Sequence, residues 1–141
     1  MWYNGENMDT TEKEHAVYSI DAVEKMLSQI GEEIPGELFR HLNGGVVLLE
    51  ACKAHPQSAG DLYIMGEYSH RHDMGRCIYI YYGSFMRVYG YAPEDVLRKQ
   101  LRGTLLHELT HHLESLAGER GLEVKDRIKL EEYRRARRKE E

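Results

Sequence analysis

Two histidines four residues apart, with a glutamate beside the first, are the residues of this sequence best suited to chemistry. His107-Glu108-Leu109-Thr110-His111 forms an HExxH motif. On an α-helix, side chains four residues apart lie on the same face, so both imidazoles can bind one zinc ion. Glu108 then lies alongside the ion, where a general base is needed. The spacing therefore predicts a zinc site in which His107 and His111 are ligands.

A long amphipathic helix is predicted to carry this motif. Pro93 suits the first turn of a helix, and Glu94 and Asp95 are well placed against the positive end of the helix dipole. Gly118 and Gly121 are expected to end the helix. One apolar ridge, on the side opposite His107, contains Leu97, Leu101, Leu105, Leu109, Leu113 and Leu116. The leucines are expected to be buried while the histidines line a cleft.

A catalytic zinc site usually has three protein ligands and one open position, so one further ligand is needed. Glu114 lies about one turn beyond His111, where it is better placed to accept a hydrogen bond from an imidazole. Glu123 and Asp126 follow the glycine break, where the chain can turn back toward the metal. Asp126 is the favoured third ligand, with Glu123 next.

Two known classes of HExxH enzyme fit the sequence less well. Glu131 follows His111 by the interval typical of thermolysin-like enzymes, but Arg135 occupies the place of their supporting aspartate. Glu114 and Ala117 occupy the places where metzincins have a glycine and a third histidine. We therefore do not expect a metzincin.

The remaining elements indicate an α+β fold. Ser19 is expected to cap a helix that ends near Gly31, and a short helix should follow over 37–42. Strands are predicted over 46–49, 61–68 and 76–85, the last two forming an antiparallel hairpin around a turn at 69–75. A C-terminal helix is predicted over about 125–138. Residues 1–17 lack periodicity and are expected to be a disordered or frayed extension, leaving residues 18–141 as one domain.

The composition of the chain excludes some classes of protein. With 141 residues, 41% apolar and 30% charged, the chain fits one globular domain, and no stretch has the ~20 apolar residues of a membrane span. Residues 1–11 are polar and acidic and lack the pattern of a secretory signal, and Cys52 and Cys77 form no CxxC pair, so we expect a cytoplasmic protein. Residues 124–141 are basic, but the net charge of −5 argues against nucleic-acid binding.

A family resemblance is carried by the segments HELTHH and LESLAGERGLEVKD, with LNGGVVLL, LYIMGEY and IYIYYGSFMRVYG upstream. In these segments the sequence resembles the small bacterial zincin-like metallopeptidases, or minimal zincins. The resemblance covers about 20–133. It implies a single zincin-like domain with N-terminal helices and a small, mainly antiparallel twisted sheet. It also implies Zn²⁺ as cofactor, His107 and His111 as zinc ligands, and Glu108 as catalytic base. Shorter members carry HExxHxxGxxD, whose aspartate aligns loosely with Asp126.

The implied activity is that of a hydrolase, a zinc metallopeptidase that cleaves peptide bonds with a metal-activated water. The expected partner is a peptide or protein substrate. A homodimer is a possible oligomeric state of the chain. In zincins an edge strand above the active helix holds the extended substrate. The candidate here is 76–85, and the alternative is that this strand lies inside the sheet.

Two other functions remain open on the sequence alone. The first is a non-catalytic zinc- or peptide-binding module that retains the zincin fold, because one small domain leaves little wall for a deep cleft. The second is a metal-dependent ribonuclease using the basic C-terminal helix, although that chemistry does not need Glu108.

Overall fold

The chain has an α+β fold in the computed structural model, which describes residues 2–4, 18–60, 62–71, 73, 75–120 and 132–135. A 3₁₀ turn occupies Gly36–Phe39, and 132–135 is helical. The helices and strands, in chain order, are β1 (Trp2–Asn4), α1 (Ile20–Glu33), β2 (Gly45–Leu49), β3 (Lys53–Ala54), β4 (Leu62–Ile64), β5 (Gly66–Arg71), β6 (Gly75–Tyr81), α2 (Tyr82–Tyr89) and α3 (Glu94–Arg120). The predicted fold class is confirmed.

Helix α1 has the cap and the apolar face that its sequence predicts. The Ser19 hydroxyl accepts a hydrogen bond from the Ala22 amide at 3.1 Å, which satisfies one of the free N–H groups of the first turn. The buried side chains of its inner face are Val23, Met26, Leu27 and Ile30. Burial of this face against the core, rather than helix propensity alone, stabilises α1.

Strands β2, β6 and β5 form one three-stranded sheet in that order. β5 and β6 are antiparallel, with Gly66 opposite Ile80 and Arg71 opposite Gly75, so the predicted hairpin is present. β2 pairs with the other edge of β6 in parallel orientation. β6 therefore lies inside the sheet, so of the two alternatives that the sequence left open for 76–85, the inner strand is confirmed and the edge strand is wrong. β5, the other strand of the hairpin, is an edge strand of this sheet.

The strand predicted over 61–68 is divided between two sheets. Its first half, β4, lies between β1 and β3 in a second sheet, whereas its second half is β5. Met65, at the junction, is buried, and its carbonyl accepts a hydrogen bond from the Tyr81 amide. β1 pairs with β4 where the sequence predicts a frayed extension, and residues 1 and 5–17 lie outside the described residues.

The strand predicted over 76–85 ends at Tyr81, and α2 begins at Tyr82. Tertiary packing explains the difference, because Phe85 is fully buried in the core, and Tyr82, Met86 and Tyr89 pack against the core. These four residues recur at the spacing of one helical face. That periodicity was present in the sequence, but the high β propensity of the aromatic residues obscured it.

Helix α3 is the long helix that the sequence predicts, with 27 residues. All six leucines of its ridge are buried. The glycine at the start of strand β5, Gly66, lies close to α3: a Cβ atom there would be 2.8 Å from Thr104 Cγ2 and 3.1 Å from the Tyr79 carbonyl oxygen. β5 can therefore approach α3 closely only because position 66 has no side chain.

None of the described helices is both long and apolar enough to cross a membrane.

Of the predicted C-terminal helix, 132–135 is helical, and the rest lies outside the described residues. Cys77 is buried, whereas Cys52 is exposed.

The contact at Gly66 predicts opposite effects for two glycine-to-alanine substitutions. Gly66→Ala should lower the free energy of unfolding by ~1–3 kcal/mol, because the added methyl group overpacks the β5–α3 contact. Gly103→Ala should raise it by ~0.5–1 kcal/mol, because Gly103 lies inside α3 and a Cβ atom there would meet no atom within 4 Å. Urea denaturation measures both, and equal effects of the two substitutions would contradict the packing argument.

Candidate metal centre

The imidazoles of His107 and His111 converge on the exposed face of α3. Their Nε2 atoms are 3.2 Å apart, and their rings lie nearly perpendicular, with centroids 4.7 Å apart. Both side chains are exposed, whereas the leucine ridge behind them is buried. The two nitrogens therefore face the same point outside the helix.

The spacing of these nitrogens fits a zinc ion. Two histidine nitrogens bound at ~2.0–2.1 Å to one tetrahedral zinc lie about 3.3 Å apart, close to the observed 3.2 Å. The two described donors are imidazoles, which suit zinc. Over the described residues no group of three or more His, Cys, Asp or Glu could hold a metal ion. Asp126, Glu123 and Glu131 lie outside the described residues.

Glu114 lies on the far side of the His111 ring from the converging nitrogens. Its Oε2 atom is 3.7 Å from Nδ1 of His111, and both side chains are exposed. A carboxylate at Nδ1 orients a histidine ligand and favours the tautomer whose Nε2 lone pair is free. Glu114 is therefore placed to support His111 rather than to bind the same ion.

His107 has an environment that favours its neutral form. Desolvation by the surrounding atoms lowers its pKa, although part of the ring is exposed; Glu108 opposes this effect, and His111 and Arg134 add to it. A neutral imidazole has the free lone pair that metal binding requires.

Glu108 is buried, with only 2% of its surface exposed. It occupies the side of α3 that also carries Thr104 and His112, one turn before and one turn after it. Thr104 lies against Gly66, and His112 is hydrogen-bonded to Tyr68, so this side of the helix faces β5. The glutamate of the motif is therefore enclosed between α3 and the edge strand.

His112, next to His111 in the sequence, is fully buried and belongs to a hydrogen-bond network rather than to the metal centre. Its Nε2 donates to the Arg40 carbonyl oxygen at 2.7 Å, which leaves Nδ1 to accept from the Tyr68 hydroxyl at 3.0 Å. Burial lowers the pKa of His112 and so favours the neutral ring that this arrangement needs.

The network extends from Tyr68 to a buried arginine. Nη1 of Arg76, which is 3% exposed, donates to the Tyr68 hydroxyl oxygen at 2.9 Å and to Ser115 Oγ at 2.5 Å. Side chains of β5, β6 and α3 are thereby joined behind the HExxH motif. Sequence reasoning did not identify Tyr68 or Arg76, and the only signal was an arginine at the start of an apolar strand.

The C-terminal helical turn at 132–135 returns to α3 beside the motif. Arg134 Nη1 donates to Thr110 Oγ1 at 2.9 Å, and the Tyr133 hydroxyl donates to the Glu33 carbonyl oxygen at 3.2 Å. Residues 132–135 thus lie beside the histidine face of α3.

The expectation that Gly118 ends the helix is wrong, because α3 continues through Gly118 to Arg120. Gly121 lies outside the described residues.

An apolar cavity of about 240 Å³ lies elsewhere in the molecule. Its lining includes Leu27, Phe39, Val46, Leu48 and Leu105. Leu105 belongs to the buried ridge of α3 and not to its histidine face. None of the motif's histidines or its glutamate lines this cavity.

Comparison with known proteins gives a match to a family model and a similarity to solved structures. Residues 62–128 match the sequence profile of a family described as zincin-like metallopeptidase. A solved structure of a conserved hypothetical protein from T. thermophilus is similar, with 35% identity and a TM-score of 0.61. The similarity covers 71% of this chain and 98% of that one. No curated protein matches the sequence significantly.

We expect the hydrogen bonds of the Tyr68 hydroxyl to stabilise the fold measurably. Tyr68→Phe removes the donor to His112 and an acceptor of Arg76, and should lower the free energy of unfolding by ~1–3 kcal/mol. Because the hydroxyl contacts His112 and not a proposed zinc ligand, the zinc content should stay unchanged. Urea denaturation and metal analysis test the two statements, and an unchanged unfolding free energy would contradict the first.

Proposed function

Because the chain belongs to the zincin-like metallopeptidase family, we propose that it is a zinc-dependent peptidase. The observation that carries this proposal is the convergence of His107 Nε2 and His111 Nε2, 3.2 Å apart on an exposed helix face. The site lies beside the edge strand of a small sheet, which offers a peptide a backbone to pair with.

The residues of the site have separate roles in this proposal. His107 and His111 would hold zinc, with Asp126 as the proposed third ligand. When bound, zinc would polarise a substrate carbonyl and lower the pKa of a bound water to about 7. Glu108 is the general base: its carboxylate takes a proton from the attacking water and passes it to the leaving amine. The Glu114 carboxylate, 3.7 Å from Nδ1 of His111, would favour the ring orientation that points Nε2 at the metal.

Strand β5 is the proposed substrate-binding strand. It is an edge strand, it packs on α3, and no other described strand pairs with its outer edge. A peptide in extended conformation can add to such an edge through main-chain hydrogen bonds, which do not depend on the peptide's side chains. The role that the sequence assigned to 76–85 thus passes to its hairpin partner.

A second candidate function is a zinc- or peptide-binding module without catalysis. The 2% exposure of Glu108 favours it, because a general base must reach the water that it deprotonates. The two candidates differ in whether a bound peptide is cleaved. A cytoplasmic location and a homodimer stay predictions of the sequence.

Glu108→Gln is expected to abolish peptide hydrolysis and keep the metal. Loss of a general base lowers kcat by ~100-fold or more, whereas the amide leaves both histidines in place. Turnover of a peptide library by the zinc-loaded chain, with zinc measured by atomic emission, tests this. Glu114→Gln is the matched control, and its kcat should fall far less. Equal loss in both variants, or full activity of Glu108→Gln, would contradict the assigned role.

Zinc stoichiometry should identify the ligands without any activity assay. His107→Ala, His111→Ala and Asp126→Ala are each expected to lose stoichiometric zinc, because three protein ligands complete a catalytic site. Glu123→Ala and Glu131→Ala are the controls and should retain it. Retention of zinc by Asp126→Ala, with loss in one of the controls, would transfer the third position to that glutamate.

A further inference from the structure

Arg134 lies at the rim of the metal centre, although 24 residues separate it from its contact in α3. Its Nη1 donates to Thr110 Oγ1 at 2.9 Å, and the same hydroxyl donates to the Leu106 carbonyl oxygen at 2.9 Å. The hydroxyl proton is therefore used within the helix, and the oxygen's lone pair holds the guanidinium. Thr110 immediately precedes His111, so this contact fixes the guanidinium next to the histidine face.

The charge of Arg134 is not used in an ion pair within the part of the chain that the structure describes. Two other arginines of this region differ in this respect. Arg98 pairs with Glu94 at 2.8 Å, and Arg102 pairs with Glu33 at 2.9 Å. A guanidinium has five N–H donors, of which the contact with Thr110 uses one. Arg134 thus presents a half-buried cation, and its contacts with described residues leave four of the five donors unused.

Arg134 and β5 lie on opposite sides of the two histidines. Successive helical residues are ~100° apart, so Glu108 flanks the histidine face on one side and Thr110 flanks it on the other. The Glu108 side faces β5, whereas Thr110 contacts Arg134. A peptide that pairs with β5 and crosses the histidines therefore comes within reach of the guanidinium.

We propose that Arg134 is a specificity-determining residue that binds a carboxylate of the peptide. The inference rests on the proposed peptidase function for the identity of the ligand. A guanidinium binds a carboxylate through two parallel hydrogen bonds, which lysine cannot reproduce. The net charge of the chain is −5, and the guanidinium of Arg134 adds a local positive charge that attracts a carboxylate. The carboxylate belongs either to an acidic side chain or to the peptide's C-terminus.

Peptide binding to the full chain carrying Glu108→Gln tests the proposal without cleavage. Three versions of one neutral, N-acetylated hexapeptide serve as probes: a C-terminal amide, a free C-terminal carboxylate, and an amide with one Glu placed at each position in turn. One charged version should bind at least about tenfold more tightly than the neutral amide. Which version does so identifies the source of the carboxylate.

Substitutions at Arg134 then assign the preference to this residue. Arg134→Gln should reduce the affinity for the charged peptide to that of the neutral amide, while Arg134→Lys should keep a smaller preference. Arg135→Gln, in the same helical turn and exposed, is the matched control and should keep the full preference. Zinc content and thermal midpoint of each variant check that it is folded.

Two outcomes would overturn the proposal: equal binding of charged and neutral peptides by the Arg134 protein, or an undiminished preference in Arg134→Gln. The first outcome is decisive even if Arg134→Gln does not fold. Failure of the peptidase function is separate, because hydrolysis is measured on the chain with Glu108 intact. A preference for the carboxylate without hydrolysis would contradict the peptidase function and support the role of Arg134. Hydrolysis without that preference would support the peptidase function and contradict the role of Arg134.

Discussion

The close approach of β5 to α3 is the constraint on which the rest of the structure depends. Gly66 has no side chain, so the strand lies against Thr104 at a distance that a Cβ atom would not allow. Two residues along the strand, Tyr68 reaches the buried His112, and Glu108 is enclosed between these two contacts. The same approach places the outer edge of β5 beside the histidines. A wider separation of strand and helix would remove the enclosure of Glu108 and the pairing surface together.

The parts of the fold that the sequence predicts are those determined by local patterns. The HExxH spacing, the leucine ridge of α3, the Ser19 cap and the β5–β6 hairpin each depend on residues close together in the chain. Whether β6 lies inside the sheet depends on β2, which pairs with it from 32 residues away, with Gly45 opposite Cys77. Periodicity within one strand carries no information on such a partner. α2 was missed for a different reason, because two local signals conflicted and tertiary packing favoured the helix.

In the candidate site, too, local sequence patterns predict one part, and contacts between distant segments determine the other. The pair of histidines follows from helix geometry alone, whereas the surroundings of the pair depend on contacts between distant segments. Tyr68 and His112 are 44 residues apart, and Thr110 and Arg134 are 24 apart. The first contact joins β5 to the ring beside His111, whose tautomer is set by the Arg40 carbonyl. The second contact places a cation on the opposite side of the motif. Asp126 as third ligand stays a prediction. Sequence thus supplies the motif, and the fold supplies its electrostatic environment.

The parallel pairing of β2 with β6 has a consequence for the order of folding. The hairpin of β5 and β6 and the helix α3 rest on contacts between residues near in sequence, which form rapidly. β2 can add only after the intervening chain has closed a long loop, whose entropy cost delays it. Until then, β6 has an open edge, and the uncharged segment Gly45–Leu49 is unpaired. The slow step of folding is therefore also the step at which the chain is most exposed to association with other copies.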